Sequence, residues 1–198
     1  MAPVAAHSHG AYFRKGIHLL ANVVPVGLML GPWGVRFFRV ALPALVGIAV
    51  LAELLRSRSP GFRRWFHHLV GGWMKPEERH GLRITGATWL LVSATLLVWT
   101  LPPSRAALAL FMASLADPVA ALVGLRWGTH RLGARSLEGS LAFLLTGGLV
   151  SLWFPQIPAS VKIMAVLVAT GTEALSPPPD DNLWVPLACG LVLGGVHL

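Results

Sequence analysis

Seven apolar runs, separated by turn residues, make up most of the chain. They cover residues 17–30, 37–55, 84–101, 106–123, 141–154, 161–175 and 183–196. Glycine and proline mark the connections, for example Gly31 with Pro32 and Pro102 with Pro103. Because about 20 apolar residues cross a bilayer as a helix, the pattern predicts an all-α protein. It would be a polytopic transmembrane helical bundle with about seven spans, or six if one short run does not cross.

The composition agrees with a membrane protein and leaves room for one domain. Of the 198 residues, 55% are hydrophobic and 12% are charged, against about 25% charged residues in soluble domains. So few charges cannot coat a water-exposed surface, and we predict a single integral membrane domain over residues 1–198. The first ten residues lack the basic segment and cleavage pattern of a signal peptide, so we expect the first span to be retained.

Positive charge is concentrated in two connections. The formal net charge is +8, and basic residues cluster within 56–83 and 126–135. In a soluble protein this excess would indicate nucleic acid, but the sequence contains no nucleic-acid-binding motif, whereas basic loops mark the cytoplasmic side of a membrane. We therefore expect a bacterial-type inner or plasma membrane protein with a cytoplasmic N-terminus and no nucleic-acid partner.

The first basic connection also contains an amphipathic segment. Apolar residues recur there at helical spacing, and the basic residues fall largely off that stripe. The stripe comprises Phe62, Trp65, Phe66, Leu69, Val70 and Trp73. This pattern is typical of a helix that lies in the headgroup region of a bilayer, so we predict an interfacial amphipathic helix here.

The eight acidic residues are the informative ones, because a carboxylate inside a bilayer is costly unless it is paired or used. Under the topology above, all of them lie toward the cytoplasmic side. Glu53 and Arg56 are spaced to neutralise each other on one helix, and Glu77 and Glu78 are expected to be solvated loop residues. The remaining acids, which can share one polar site facing the cytoplasm, are Asp117, Glu138, Glu173, Asp180 and Asp181.

Asp117 differs from the other acids because it lies inside an apolar run and has no basic neighbour before Arg126. It is followed by Pro118, which lacks a backbone N–H and so leaves one helical carbonyl without its donor. Non-helical backbone at membrane depth is tolerated where it lines a polar cavity. We therefore predict a broken helix at Asp117 that faces such a cavity.

The stretch from 124 to 140 combines glycine, arginine and serine. Glycines permit close backbone approach, arginine binds phosphate through two hydrogen bonds, and a helix N-terminus supplies further donors. The candidate phosphate-binding residues are Arg126, Arg135, Ser136, Gly139 and Ser140. The spacing of a P-loop is missing, and Gly124 with Gly128 also suits simple helix packing.

A last polar cluster follows the sixth apolar run. Glu173 precedes three prolines, and Asp180, Asp181 and Asn182 come directly after them. Their hard oxygen ligands suit Mg²⁺ bound together with phosphate oxygens. The alternative is a plain acidic turn.

Ordered segments across nearly the whole chain resemble one enzyme family. They are Arg14-Lys15-Gly16-Ile17-His18, Glu53-Leu54-Leu55-Arg56, Glu78-Arg79 with Thr85-Gly86-Ala87-Thr88-Trp89, Ala116-Asp117-Pro118 with Gly124, Arg135-Ser136-Leu137-Glu138-Gly139-Ser140, and Glu173-Ala174-Leu175 with Asp180-Asp181-Asn182-Leu183. The chain resembles the CTP-dependent lipid kinases, which include dolichol kinase, phytol kinase and the yeast-type diacylglycerol kinase. It departs from their pattern at Ala116, where glycine is usual, and at Arg135, where lysine is usual.

The resemblance implies transfer of the γ-phosphoryl group of CTP to the hydroxyl of an isoprenoid alcohol or related lipid. Phosphoryl transfer needs cations and Mg²⁺ around the phosphates and a group that orients the attacking hydroxyl. Our hypothesis is that Asp117 accepts the hydroxyl proton or binds Mg²⁺, that Glu138 shares either role, and that Asp180 and Asp181 are further metal ligands. The candidate triphosphate contacts are Arg14, Lys15, Arg126, Arg135, Ser136, Gly139 and Ser140. The other polar candidates are His18, Glu53, Glu173 and Asn182.

Two alternatives remain at this point. A CTP:phosphatidate cytidylyltransferase would share the nucleotide, the metal and the membrane, but the chain lacks the long C-terminal signature expected of that family. A small transporter would use the embedded carboxylates as ion sites, but the acids lie on one side and no inverted repeat is visible. The pattern does not choose among phytol, geranylgeraniol, polyprenol, dolichol and diacylglycerol, although the compact chain favours a short alcohol such as phytol. It leaves the oligomeric state open.

Overall fold

The fold is helical, as the apolar runs predict. The computed structural model describes residues 16, 18–80, 83–133 and 135–195. The helices are α1 (Val23–Met29), α2 (Pro32–Arg58), α3 (Pro60–Val70), α4 (Pro76–His80), α5 (Gly86–Thr100), α6 (Pro103–Phe111), α7 (Asp117–Trp127), α8 (Leu137–Ser151), α9 (Ala159–Leu175) and α10 (Asp181–Gly195). A 3₁₀ turn (Gly71–Trp73) and a π-helical turn (Met112–Ala116) lie between helices. A two-residue antiparallel hairpin pairs β1 (Arg131–Leu132) with β2 (Arg135–Ser136).

Two of the described helices are long and apolar enough to cross a membrane. They are Pro32–Arg58 and Pro103–Trp127, the latter formed by α6, the π-helical turn and α7 together. Only 6% of the apolar window of the first is buried, against 72% for the second. An apolar helix that exposes most of its surface is typical of a membrane span. The other apolar helices, among them His18–Met29, Gly86–Thr100 and Leu137–Ser151, have 10–17 residues, so the count of seven spans stays a prediction.

The long helix Pro103–Trp127 forms the centre of the fold. Every residue of Ala106–Ala113 is buried, and α1, α5, α8 and α10 pack around this segment. α2 lies against α5, and α9 lies between α8 and α10. Cys189 is buried in this core, in keeping with the packing role expected for a lone cysteine in an apolar run.

α7 and α8 approach each other closely because glycine lies at their contact. A Cβ atom built on Gly139 would lie 2.9 Å from the carbonyl oxygen of Ala120, and one built on Gly124 would lie 2.9 Å from Ser136 Oγ. Both distances are shorter than real Cβ contacts allow. The packing interpretation of the glycines is therefore confirmed, and the close approach also brings the end of β2 against α7.

This contact leads to a stability prediction with an internal control. Gly139→Ala is expected to destabilise the protein by about 1–3 kcal/mol, because the new methyl group meets backbone that cannot move aside. Gly148 lies on the same helix with nothing within 4 Å of a built Cβ, so Gly148→Ala is expected to be neutral or stabilising by up to about 1 kcal/mol. Thermal unfolding in detergent measures both. Equal melting temperatures for the two variants would contradict the close-packing explanation.

The amphipathic segment is helical, as predicted. α3 begins after Ser59, whose hydroxyl accepts a hydrogen bond from Phe62 N, and none of its residues is buried. Trp65 and Leu69 are both more than half exposed, so the described part of the chain leaves these two residues of the apolar stripe uncovered. Its position in the headgroup region stays a prediction.

The prediction of a broken helix at Asp117 is wrong, because the helix is distorted there but not interrupted. The chain passes from α6 to α7 through the π-helical turn Met112–Ala116, and Asp117 N donates to the carbonyl oxygen of Met112. The helix is therefore widened just before the Asp-Pro pair and continues beyond it. The physical cause is the one expected from sequence, because a proline cannot donate to the carbonyl four residues earlier and its ring crowds that carbonyl.

Candidate functional site

A cavity of about 520 Å³ opens where α7, the β-hairpin, the segment before α4 and the start of α10 meet. This volume is within the usual range for sites that bind small molecules. Its lining includes the polar residues His18, Lys75, Glu77, Arg83, Arg131, Arg135, Ser136, Glu173, Asp180, Asp181 and Asn182. Gly124 and Gly139 also line it. Segments far apart in sequence therefore supply one polar surface.

Arg135 is the centre of the charge arrangement. Its guanidinium Nε lies 3.2 Å from Glu173 Oε1, its Nη2 lies 3.7 Å from Asp117 Oδ1, and its Nη2 also forms a very short contact with Asp181. Burial alone would lower the pKa of Arg135, but the neighbouring charges of Asp117, Asp181 and Glu173 outweigh it and raise the pKa. One planar cation thus joins three of the acids expected at the site.

Lys75 is a second cation in the same cavity. Its Nζ lies 2.7 Å from Asp180 Oδ2 and 3.3 Å from Asp181 Oδ1. Burial would lower the Lys75 pKa, but the two carboxylates raise it above its usual value. Burial, followed by the hydrogen bond and charge of Asp181, raises the pKa of Asp180 to about 6. Asp180, Lys75, Asp181 and Arg135 therefore form a compact network in which acidic and basic side chains alternate.

Ser136 sets the start of α8 beside this network. Its hydroxyl accepts a hydrogen bond from Gly139 N at 3.1 Å, which is the usual way for serine to cap a helix N-terminus. Ser136 is 4% exposed and lies against Gly124 and Gly128, where no Cβ would fit. The predicted combination of glycines, serine and a helix N-terminus at the cavity is therefore present.

Other predicted residues lie close to this network. Glu173 is buried and accepts a hydrogen bond from Ser140 Oγ at 3.1 Å. Asn182 donates from Nδ2 to Asp180 Oδ1 at 2.7 Å. His18 is buried and lines the cavity.

Some predicted residues lie elsewhere. Glu138 accepts hydrogen bonds from Thr129 Oγ1 and His130 N, and it closes the loop before the hairpin. Arg126 is exposed, with its guanidinium over the ring of Trp127. Neither is among the residues that line the cavity. Arg14 and Lys15 lie outside the described residues.

The acids of the first basic connection have structural partners. Glu53 pairs with Arg56 at 2.5 Å, as predicted, and also accepts from Thr85 N at 2.9 Å. The prediction that Glu78 is solvated is wrong, since it is 6% exposed and accepts hydrogen bonds from Lys75 N and Gly86 N. Glu77 is exposed, as expected. Glu78 thereby ties the Lys75 segment to the start of α5.

Lys75 is the missed site residue with the most contacts to the predicted acids; Arg83 and Arg131 also line the cavity without having been predicted. Lys75 lies in a connection with many arginines, and nothing in its local sequence distinguishes it from them. In the folded chain, Glu78 accepts hydrogen bonds from Lys75 N and Gly86 N and so holds the Lys75 segment near α5.

The donor set of the cavity suits Mg²⁺ in one particular way. Among the described residues, no three His, Cys, Asp or Glu side chains are grouped so that they could hold a metal ion by themselves. Mg²⁺ commonly takes only one or two carboxylates, with phosphate oxygens and water completing its octahedron. Asp180 and Asp181, adjacent in the cavity, fit that mode of binding.

Comparisons with known proteins agree with the resemblance seen in sequence. No family model matches the chain, and no solved structure matches it. A curated phytol kinase from Synechocystis sp. is 34% identical over 101 residues. The match covers 46% of this chain and 43% of that protein, so the chain matches less than half the length of this relative. The likeness supports membership of the chain in the polyprenol and phytol kinase family that its sequence resembles.

Proposed function

We propose that the protein is a lipid-alcohol kinase that transfers the γ-phosphoryl group of CTP to the hydroxyl of an isoprenoid alcohol, with phytol the first candidate. The observation that carries this proposal is a network in which Lys75 and Arg135 alternate with the carboxylates of Glu173, Asp180 and Asp181 inside one cavity. Asp117 is not among the residues that line this cavity, but it joins the network through Arg135. The likeness to a phytol kinase supports the choice of an alcohol acceptor.

The network suits a triphosphate because its cations can exchange partners. Arginine and lysine bind phosphate oxygens as well as carboxylates. Lys75 and Arg135 would bind the oxygens of a triphosphate in the cavity, and Asp180 and Asp181 would be the residues that hold Mg²⁺ beside it. The bound Mg²⁺ supplies charge neutralisation on the phosphate oxygens.

Asp117 is the proposed base. Its carboxylate is 3% exposed and lies within 3.7 Å of Arg135, so it is close to the cation that would hold the γ-phosphate. The alcohol oxygen forms a bond to the γ-phosphorus while the bond from that phosphorus to the bridging oxygen breaks, and CDP leaves. The hydroxyl proton passes to Asp117 late in this step, because an aliphatic alcohol is a weak acid.

The lipid substrate is proposed to enter from the bilayer rather than from water. Leu125 lines the cavity and is 56% exposed, which continues the apolar surface of α7 to the mouth of the site. A hydroxyl at the end of an apolar chain can therefore reach the polar network while its tail stays in lipid. We further propose that the chain crosses the membrane seven times and that the site faces the cytoplasm, where CTP is made.

The direct test is label transfer. Purified full-length protein in lipid is incubated with γ-labelled CTP or ATP, Mg²⁺ and separate lipid alcohols, and label is followed into the organic phase. Labelled lipid with CTP supports the proposal and identifies the acceptor. Release of pyrophosphate with formation of a CDP-lipid from phosphatidate would move the assignment to a cytidylyltransferase. Nucleotide-independent flux in proteoliposomes would favour a transporter.

Lys75→Met tests the proposed contact with the triphosphate. We expect the KM for CTP to rise by about tenfold or more, since a charge-assisted hydrogen bond is worth about 1.5–3 kcal/mol. Lys75→Arg keeps the charge, and its KM for CTP is expected to lie between the values of the wild type and Lys75→Met. Initial rates at varied CTP concentration measure the effect.

Lys162→Met is the matched control. Lys162 lies in the first turn of α9, at the opposite end from Glu173, and its Nζ donates to Phe154 O at 3.3 Å. The KM for CTP of this variant is expected to stay within about twofold of the wild-type value. An unchanged KM in Lys75→Met would remove Lys75 from the nucleotide site.

A further inference from the structure

The π-helical turn before Asp117 is accompanied by an unusual hydrogen-bond partner. Pro118 has no N–H, so the carbonyl oxygen of Ser114, four residues earlier, lacks the donor that it would have in a regular helix. Asn22, 92 positions away in sequence, donates from its Nδ2 to this carbonyl oxygen at 3.0 Å. A side chain from another helix thus supplies the bond that the proline removes.

Asn22 is held in place by two further hydrogen bonds. Its Nδ2 also donates to Leu19 O at 2.8 Å, and its Oδ1 accepts from Ser114 Oγ at 2.9 Å. The residue directly precedes α1, at the N-cap position, but its side chain caps no N–H of that helix. Its Oδ1 and one of its two Nδ2 hydrogen bonds are therefore directed at Ser114 in the π-helical turn, while the other Nδ2 bond stays within its own segment.

The turn controls where Asp117 points. A π-helical turn acts as a one-residue insertion, which rotates all later residues by about 100° relative to an uninterrupted α-helix. That rotation places Asp117 at 3.7 Å from Arg135 and places Ala120 and Gly124 against α8. A turn that relaxed to regular geometry would direct Asp117 away from Arg135.

We propose that Asn22 is a positioning residue for Asp117: by bonding the Ser114 carbonyl that Pro118 leaves without its helical donor, it holds the π-helical turn in the arrangement that directs Asp117 into the site. This inference rests on the proposed kinase function for its catalytic consequence. Its structural part, the replacement of a helical donor by an asparagine side chain, can be tested without turnover.

The experiment is a double-mutant cycle between Asn22 and Pro118. Asn22→Leu keeps the side-chain volume and removes the donor. Pro118→Ala restores an N–H that can reach the Ser114 carbonyl. We expect Asn22→Leu to lower kcat by about tenfold, the effect of one lost bond of about 1.4 kcal/mol, with the KM for CTP within about twofold. In the Pro118→Ala background, Asn22→Leu is expected to lower kcat by less than about threefold.

Ser114→Ala is the matched control, because it removes the bond between Ser114 Oγ and Asn22 Oδ1 but leaves the bond to the carbonyl. It is expected to lower kcat by less than about threefold. Melting temperatures of all variants in detergent give the second readout, and Asn22→Leu is expected to lower the melting temperature more beside Pro118 than beside alanine.

The outcomes separate the inference from the proposed function. An equal cost of Asn22→Leu in both backgrounds, in kcat and in melting temperature, overturns the inference. Coupling in melting temperature with an unchanged kcat reduces Asn22 to a structural residue and also overturns the positioning role. If the wild-type protein phosphorylates no lipid alcohol, the proposed function fails and the catalytic role with it, while the melting cycle still decides whether Asn22 replaces the helical donor.

Discussion

Asp117→Asn is expected to lower phosphoryl transfer by about 10³-fold while the protein still inserts and folds. The substitution keeps the shape of the side chain and removes both the negative charge and the ability to accept a proton, and a positioned general base contributes about 10²–10⁴-fold. Because Asp117 is nearly isosteric with asparagine and lies beside Arg135, CTP is still expected to bind. Label transfer from γ-labelled CTP under single-turnover conditions measures the loss.

Glu77→Gln is the control for this prediction. Glu77 lines the cavity but is exposed in α4, and the ion pairs of Lys75 and Arg135 are made with other carboxylates. The substitution makes the same chemical change as Asp117→Asn outside the charge network. Its activity is expected to stay within about twofold of the wild-type value. If Asp117→Asn retains turnover and has a normal melting temperature, Asp117 is excluded as the base, and Glu173 becomes the next candidate for that role.

Arg135→Met is expected to have the largest effect on stability. The Arg135 side chain is 19% exposed and joins Asp117, Glu173 and Asp181. Removing one partner from a buried ion pair costs about 3–5 kcal/mol, because the other charge is left uncompensated. At the lower value, the melting temperature of a chain of this size falls by roughly 6–12 °C. Differential scanning of the protein in detergent measures this change.

A second substitution distinguishes charge from packing. Glu173→Gln removes one of the carboxylates that Arg135 compensates, so Arg135→Met with Glu173→Gln is expected to melt at a higher temperature than Arg135→Met alone. Arg36→Met, in an exposed position near the start of α2, is the matched control and should shift the melting temperature little. A single Arg135→Met variant as stable as the wild type would show that the carboxylates do not depend on this cation.

Local pattern was sufficient to predict most helices. The seven apolar runs all contain helices, and the amphipathic stripe that begins at Phe62 is helical as well. Ser136 could be assigned to a helix start because serine before a glycine- and glutamate-containing turn is a local signal. The number of spans was not predictable to the same degree, because several helices are shorter than a bilayer is thick.

The membership of the candidate site was predicted only in part. Arg135, Ser136, Asp180 and Asp181 were singled out and do line the cavity. Lys75 was missed, and Arg126 and Glu138 lie away from the cavity lining. The buried position of Glu78 was also missed. Each of these misses concerns which polar side chains, in a connection or near a helix end, turn inward, and this depends on contacts with other segments.

The sequence by itself determined the helical class, the membrane-like composition, the candidate acids and the resemblance to lipid kinases, because these follow from periodicity, composition and short motifs. Only the tertiary structure decided that Lys75 and Arg135 alternate with the acids, and that Asn22 supplies the hydrogen bond that Pro118 removes. The physical reason is that charge pairing and donor replacement require groups within about 3–4 Å of each other. Chain packing sets such distances between residues as far apart in sequence as Asn22 and Ser114, separated by 92 positions, and Lys75 and Asp180, separated by 105 positions.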